Sequence, residues 1–124
     1  MKLGSVLKQI IQDKKKLVEE SKNKISLEEL KNKISEIIKP IDFKNIFNSN
    51  EISLIAEIKR SSASAGDILP ELNLSDITNT YIKGGVSAIS ILTEKTRFGG
   101  SLSDLKEVAS ICKNNNVPVL QKDF

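Results

Sequence analysis

Apolar positions change their period once along this chain, near residue 50, and that change divides it in two. Before it, Leu7, Ile10, Ile11, Leu17 and Val18 lie on one stripe of a helix that Ser5 is placed to cap. Residues 22–24 read as a polar break. Ser26 followed by Glu29 has capping-box spacing, and Leu27, Leu30, Ile34, Ile37 and Ile38 continue a second helical stripe. Pro40 ends that helix, because a proline pushes the residue before it out of helical geometry. Residues 41–47 add at most one short turn or helix. Two amphipathic helices with no strand between them must lay their stripes on something else.

From Ile52 the pattern becomes strand, loop, helix, repeated. Residues 52–59 read as a strand and 61–72 as a loop. Residues 75–83 form a helix showing Ile77, Tyr81 and Ile82, closed by Gly84 and Gly85 where a left-handed cap is wanted. Residues 86–93 are a second strand, apolar and β-branched, and 94–100 a second loop. Ser101 with Asp104 starts a helix carrying Leu102, Leu105, Val108, Ala109 and Cys112, which residues 114–116 break before Val117 opens a third strand. Strands alternating with helices of this length predict parallel βα units in an α/β fold. Near-continuous apolar strands further predict that both sheet faces are covered.

Composition narrows the class. The 124 residues, 39% hydrophobic and 28% charged, suit one modest globular domain without a disorder signature. The net charge of +3 is uneven: residues 1–50 hold eleven basic against seven acidic side chains, and residues 51–124 hold eight against nine. The basic triplet 14–16 has no aromatic near it, so it reads as a solvated helix face and not as a nucleic-acid surface. The single cysteine, Cys112, reads as a small core residue, since the chain has no histidine to activate it. The lack of histidine also argues against a common transition-metal site. No apolar run approaches the roughly 20 residues of a membrane span and no signal-peptide layout is present, so the cytoplasm is the expected location.

The candidate chemistry gathers at strand ends. In LIAEIKRSSASAG, residues 54–66, Glu57 and Lys59 share one strand face while Ala56 and Ile58 share the other. A carboxylate and an ammonium at the end of a buried strand are costly unless they pair or do chemistry. Lys122 ends another apolar run in VPVLQKDF, residues 117–124. The C-terminal ends of strands are where βα-barrels and open α/β sheets bind ligands. A structural ion pair between Glu57 and Lys59, with Lys122 snorkelling from its strand, explains the same spacing.

The stretch IAEIKRSSASAG resembles the first-strand motif of indole-3-glycerol-phosphate synthases, roughly I-A-E-x-K-x-x-S-P-S-x-G. The likeness continues through YIKGGVSAISILTEKTRFGGSLSDL and VPVLQKDF, and upstream through VLKQIIQDKKKLVEESK and an IDF at residues 41–43. It implies a (β/α)₈ barrel with an N-terminal helical extension, here residues 1–48, with residues 49–124 forming the first three strands and two crossover helices. It implies ring closure, decarboxylation and dehydration of 1-(2-carboxyphenylamino)-1-deoxyribulose 5-phosphate to indole-3-glycerol phosphate, in tryptophan synthesis, with no cofactor and no metal.

By the same resemblance Lys122 matches the general acid that protonates the ketose carbonyl. Lys59 matches the lysine that holds the substrate carboxylate, and Glu57 the acidic partner that orients the lysine and keeps it protonated. Ser62 matches the first-loop serine, and Phe98 and Phe124 match apolar residues around the anthranilate ring. Leu120, Lys122 and Phe124 share strand parity, so Phe124 is expected to point where Lys122 points.

Two departures qualify the likeness. Ala63 stands where the family has proline, which should loosen the first loop by about 1 kcal/mol of unfolded-state entropy. A complete barrel needs at least ~200 residues, and the family's later glutamate base and phosphate-binding loops have no match here. The chain is therefore expected to be an N-terminal fragment, inactive and poorly folded alone, with an uncovered sheet face and uncovered edges. Other readings are a half-barrel binding or complementing subunit completed by a C-terminal chain, and a different phosphate-binding barrel such as phosphoribosylanthranilate isomerase.

Overall fold

The computed structural model describes residues 3–47, 50–62, 65–69 and 71–124. Ala63 and Ser64 lie outside the described residues. The chain divides into two compact units, Met1–Lys39 and Pro40–Phe124.

The first unit is helical. Helix α1 spans Leu3–Lys24, so Ser5 lies within it, and residues 22–24 form its last turn instead of a break. Lysines there face the negative end of the helix dipole and favour continuation. Helix α2, Leu27–Ser35, begins with the expected capping box: Glu29 N–H donates to Ser26 Oγ, and Ser26 N–H donates to the Glu29 carboxylate. It stops earlier than the apolar stripe suggests, leaving Ile37 and Ile38 outside and exposed. The ring of Pro40 would meet the carbonyl of Glu36, four residues back, so the helix closes before that carbonyl is needed.

The second unit opens with a 3₁₀ turn, Phe43–Phe47, and builds a parallel sheet. Its strands are β1, Ile55–Ile58, then β4, Ala88–Leu92, and β5, Val119–Lys122, in spatial order β1-β4-β5. Two residues each, β2 (Ser61–Ser62) and β3 (Gly66–Asp67) form a small antiparallel rung inside what the sequence read as plain loop. β1 is shorter than expected because its pairing starts at Ile55, opposite Ala88; Ile52 has no partner strand and is 98% exposed.

Helix α3, Leu74–Lys83, is capped by Asn73 and closed at Gly85, whose φ of 81° is the left-handed conformation expected of the glycine pair. A four-residue helix α4, Lys95–Phe98, occupies the second loop. Helix α5, Leu102–Asn114, starts as predicted, with Asp104 N–H donating to Ser101 Oγ. Both α3 and α5 cover one face of the sheet. There Ile58, Ile89 and Ile91 join Leu74, Val108, Cys112 and Val117 in a single buried cluster. Burial pushes the Cys112 thiol up to about 11, as suits a core residue.

The other face departs from the reading that both sides are covered and fits the sheet face expected to lie open in this stretch of chain. Only the middle strand β4 is buried throughout. On its flanks Ile55 and Leu120 remain 40% and 41% exposed. Residues in register across parallel strands point to the same side. Glu57, Ser90 and Leu120 therefore form one row on this open face, with Leu92 and Lys122 in the next.

Candidate functional site

Three sequence-predicted residues meet at the C-terminal end of the open face. Lys122 Nζ donates to Glu57 Oε2 at 2.6 Å, and Lys59 Nζ stands 3.3 Å from Glu57 Oε1. One carboxylate thus holds two ammonium groups, one per oxygen. The contact with Lys59 is local, two residues along the chain and just past the end of β1. The contact with Lys122 crosses the whole width of β4, about 10 Å between backbones at the usual strand spacing.

The electrostatics follow from this geometry. The hydrogen bond from Lys122 holds the Glu57 carboxyl below the usual carboxylate range, with Lys59 adding to it against the cost of partial burial. The same bond raises Lys122 above the ordinary lysine value. Glu57 therefore keeps Lys122 protonated and aimed along the open face. Such a group can donate a proton, and the pair of ammoniums can receive an anion.

The loops beyond the strands are tied together. The Arg60 carbonyl accepts from the N–H groups of Ile68 and Leu69, while its side chain donates to the Leu72 carbonyl and pairs with Asp104 at the start of α5. The Ser61 hydroxyl donates to the Arg97 carbonyl, 3.2 Å away, joining the first loop to the second. Ser62 accepts from Ala65 N–H inside the first loop. Glu94 caps α4 by accepting from Thr96 and Arg97 N–H. Burial pushes its carboxyl up, but those backbone donors outweigh burial and hold it below the usual range. The second loop then passes so close to β4 that a Cβ on Gly100 would sit 2.0 Å from the Leu92 carbonyl oxygen, so only glycine fits.

Phe98 ends α4 half-buried. Phe124 is 83% exposed, and the parity argument for it fails. β5 ends at Lys122, and Asp123 takes a left-handed φ of 57°, so alternation does not carry across it. Sequence reasoning overlooked Arg60, Glu94, Gly100 and Ser90. Glu94 ahead of Thr96 and Arg97 is a capping pattern that could have been recognised. Ser90, the one polar residue of β4, is buried, and its hydroxyl has no hydrogen-bond partner among the described residues.

Known proteins resemble this chain over nearly its whole length. The family model described as Indole-3-glycerol phosphate synthase matches residues 7–124. An indole-3-glycerol phosphate synthase of Bacteroides thetaiotaomicron is 37% identical over 122 residues, covering 98% of this chain and 46% of that protein. One of Dehalococcoides mccartyi is 36% identical over 120 residues, 96% of this chain and 46% of that protein. One of Leptospira interrogans is 45% identical over 84 residues, 68% of this chain and 32% of that protein. The chain spans a little under half the length of the first two. With a matching family model over nearly its whole length and a parallel βα sheet carrying charged groups at its strand ends, the chain belongs to the indole-3-glycerol phosphate synthase family.

Proposed function

We propose that this chain supplies the acid-bearing first part of an indole-3-glycerol-phosphate synthase. The reaction is ring closure of 1-(2-carboxyphenylamino)-1-deoxyribulose 5-phosphate, with loss of carbon dioxide and water. The observation that carries the reading is Glu57 held between Lys59 and Lys122 in a member of this family. Lys122 gives its proton to the ketose carbonyl oxygen as the aromatic carbon bonds to that carbon. Lys59 holds the substrate carboxylate until it leaves as carbon dioxide. Glu57 orients both ammoniums and holds Lys122 in its charged form. Ser62 contributes a polar contact from the first loop, and Phe98 and Phe124 line the ring once the site is assembled.

In this reading residues 1–48 are a helical extension and residues 49–124 the first three strands and two crossover helices of a (β/α)₈ barrel. The rest of the barrel supplies the remaining strands, either on a longer form of the same chain or on a complementing C-terminal chain, and the enzyme works in the cytoplasm. Among the described residues no helix is long and apolar enough to cross a membrane.

The test is complementation. The chain is mixed with the C-terminal half of the Bacteroides thetaiotaomicron relative, and formation of indole-3-glycerol phosphate is followed by its fluorescence. Turnover is expected from the mixture and from neither part alone, with Lys122→Ala reducing it by at least a hundredfold. A mixture that associates but does not turn over, or a Lys122→Ala mixture as active as the original, overturns the reading.

A further inference from the structure

The Lys122–Glu57 contact spans an intervening strand, so its geometry depends on where the end of β5 is held. β5 stops at Lys122, and the left-handed Asp123 turns the chain away immediately afterwards. The last register pair between β4 and β5 is Leu92 with Lys122.

One residue past β4, Thr93 N–H donates to the Lys122 carbonyl at 3.0 Å, and the Thr93 hydroxyl lies 3.2 Å from the same oxygen. The hydroxyl in turn accepts from Gln121 Nε2 at 3.2 Å. A carbonyl oxygen has two lone pairs and a threonine hydroxyl can donate once and accept, so all three bonds are compatible. Gln121, in register with Ile91 on the helix-covered side, donates to the Thr93 hydroxyl, which puts that side chain on the face opposite the lysine ammonium. It therefore acts on Lys122 through the backbone and not through a ligand.

We infer that Thr93 is a positioning residue for Lys122, locking the end of β5 from the helix side so that the ammonium reaches Glu57 across β4. The inference rests on the proposed role of Lys122 for its catalytic meaning, but its structural content is tested without turnover. Among the described residues, Lys59 and Lys122 are the charged groups that act on the Glu57 carboxylate, and Asp123 acts on Lys122. Its titration therefore reports whether Lys122 is in place.

The experiment follows the Glu57 side-chain carboxyl by carbon-13 NMR through an acid titration of the full chain. In the unmodified chain its midpoint is expected below that of exposed glutamates. Thr93→Val keeps the branched shape and the N–H bond but removes the hydroxyl, and it should move the midpoint upward toward the ordinary value. Thr93→Ser keeps the hydroxyl and should leave the midpoint in place. Gln121→Met removes only the donor to that hydroxyl and should produce a smaller upward move; it decides the matter if Thr93→Val loses its folded spectrum. An unmodified chain with an ordinary Glu57 midpoint overturns the inference. So do folded Thr93→Val and Gln121→Met variants that leave the midpoint unmoved, or a Thr93→Ser variant that moves it as far as valine does. Failure of the complementation assay alone would remove the catalytic role of Lys122 and leave the Thr93 lock standing.

Discussion

The two faces of the parallel sheet are built from the same three strands and do opposite work. On the helix-covered face Ile58, Ile89, Ile91, Val108 and Cys112 are buried together in one apolar cluster. On the other face Ile55 and Leu120 stay partly bare around a carboxylate shared by two ammoniums. A buried apolar cluster tolerates no unpaired charge, whereas the open face can hold charges that remain partly solvated and available to a ligand. Alternation along each strand thus separates the residues that stabilise the sheet from those suited to chemistry.

That separation is broken most directly in the core. Ile91→Ala should destabilise the chain by about 3 kcal/mol, the usual scale for a buried isoleucine, while Leu120→Ala on the open face should cost under about 1 kcal/mol. Urea unfolding checks both, and equal losses would mean that the two faces do not differ as described.

Next in size is the junction between the second loop and β4. Gly100→Ala puts a methyl group against the Leu92 carbonyl and should cost about 2 kcal/mol, within the range for overpacking. The displaced loop should also show as altered amide shifts across residues 93–100. An alanine variant as stable as the original would remove the steric argument.

Smaller still is the pH response of the open face. Glu57 has a depressed folded-state pKa, so its contribution is present above the unfolded value and is lost as pH falls through the folded one. Lys122 is raised, so its contribution is present below the ordinary lysine value and is lost as pH rises through the folded one. Solvent screening keeps the exposed pair below about 1 kcal/mol. Stability measured against pH should sag at both ends, and Glu57→Gln should flatten both shoulders together.

In the middle of the open-face row, Ser90→Ala should raise stability by about 1 kcal/mol, because it removes a buried hydroxyl that has no partner among the described residues. A destabilised alanine variant would show that the hydroxyl finds a partner in solution.

Much of this was legible in the residues. Period identified the four longer helices and the three strands of the parallel sheet, though not α4 or the β2–β3 rung, because burial on one side imposes its spacing on the sequence. Ser26 with Glu29 and Ser101 with Asp104 announced their caps, since a cap is a local contact made within three residues. The strand-end positions of Glu57, Lys59 and Lys122 were also legible, through the E-x-K and Q-K-D-F patterns. What stayed hidden depended on partners far along the chain. β1 begins at Ile55 because Ala88 stands opposite, and Phe124 leaves the expected parity because Asp123 turns left-handed. Arg60 meets Asp104 across forty-four positions, and Gly100 is required by a carbonyl of the strand it packs against.

The sequence by itself determined where the longer helices and the sheet strands lie, which side of each strand is apolar, and which residues carry charge to the strand ends. Only the tertiary structure decided that β5 lies beside β4 and not beside β1, so that Lys122 reaches Glu57 over an intervening strand. Local patterns record a residue's preference for burial or exposure. Strand order and register are settled by contacts between residues 65 positions apart, and no window of the chain contains both partners.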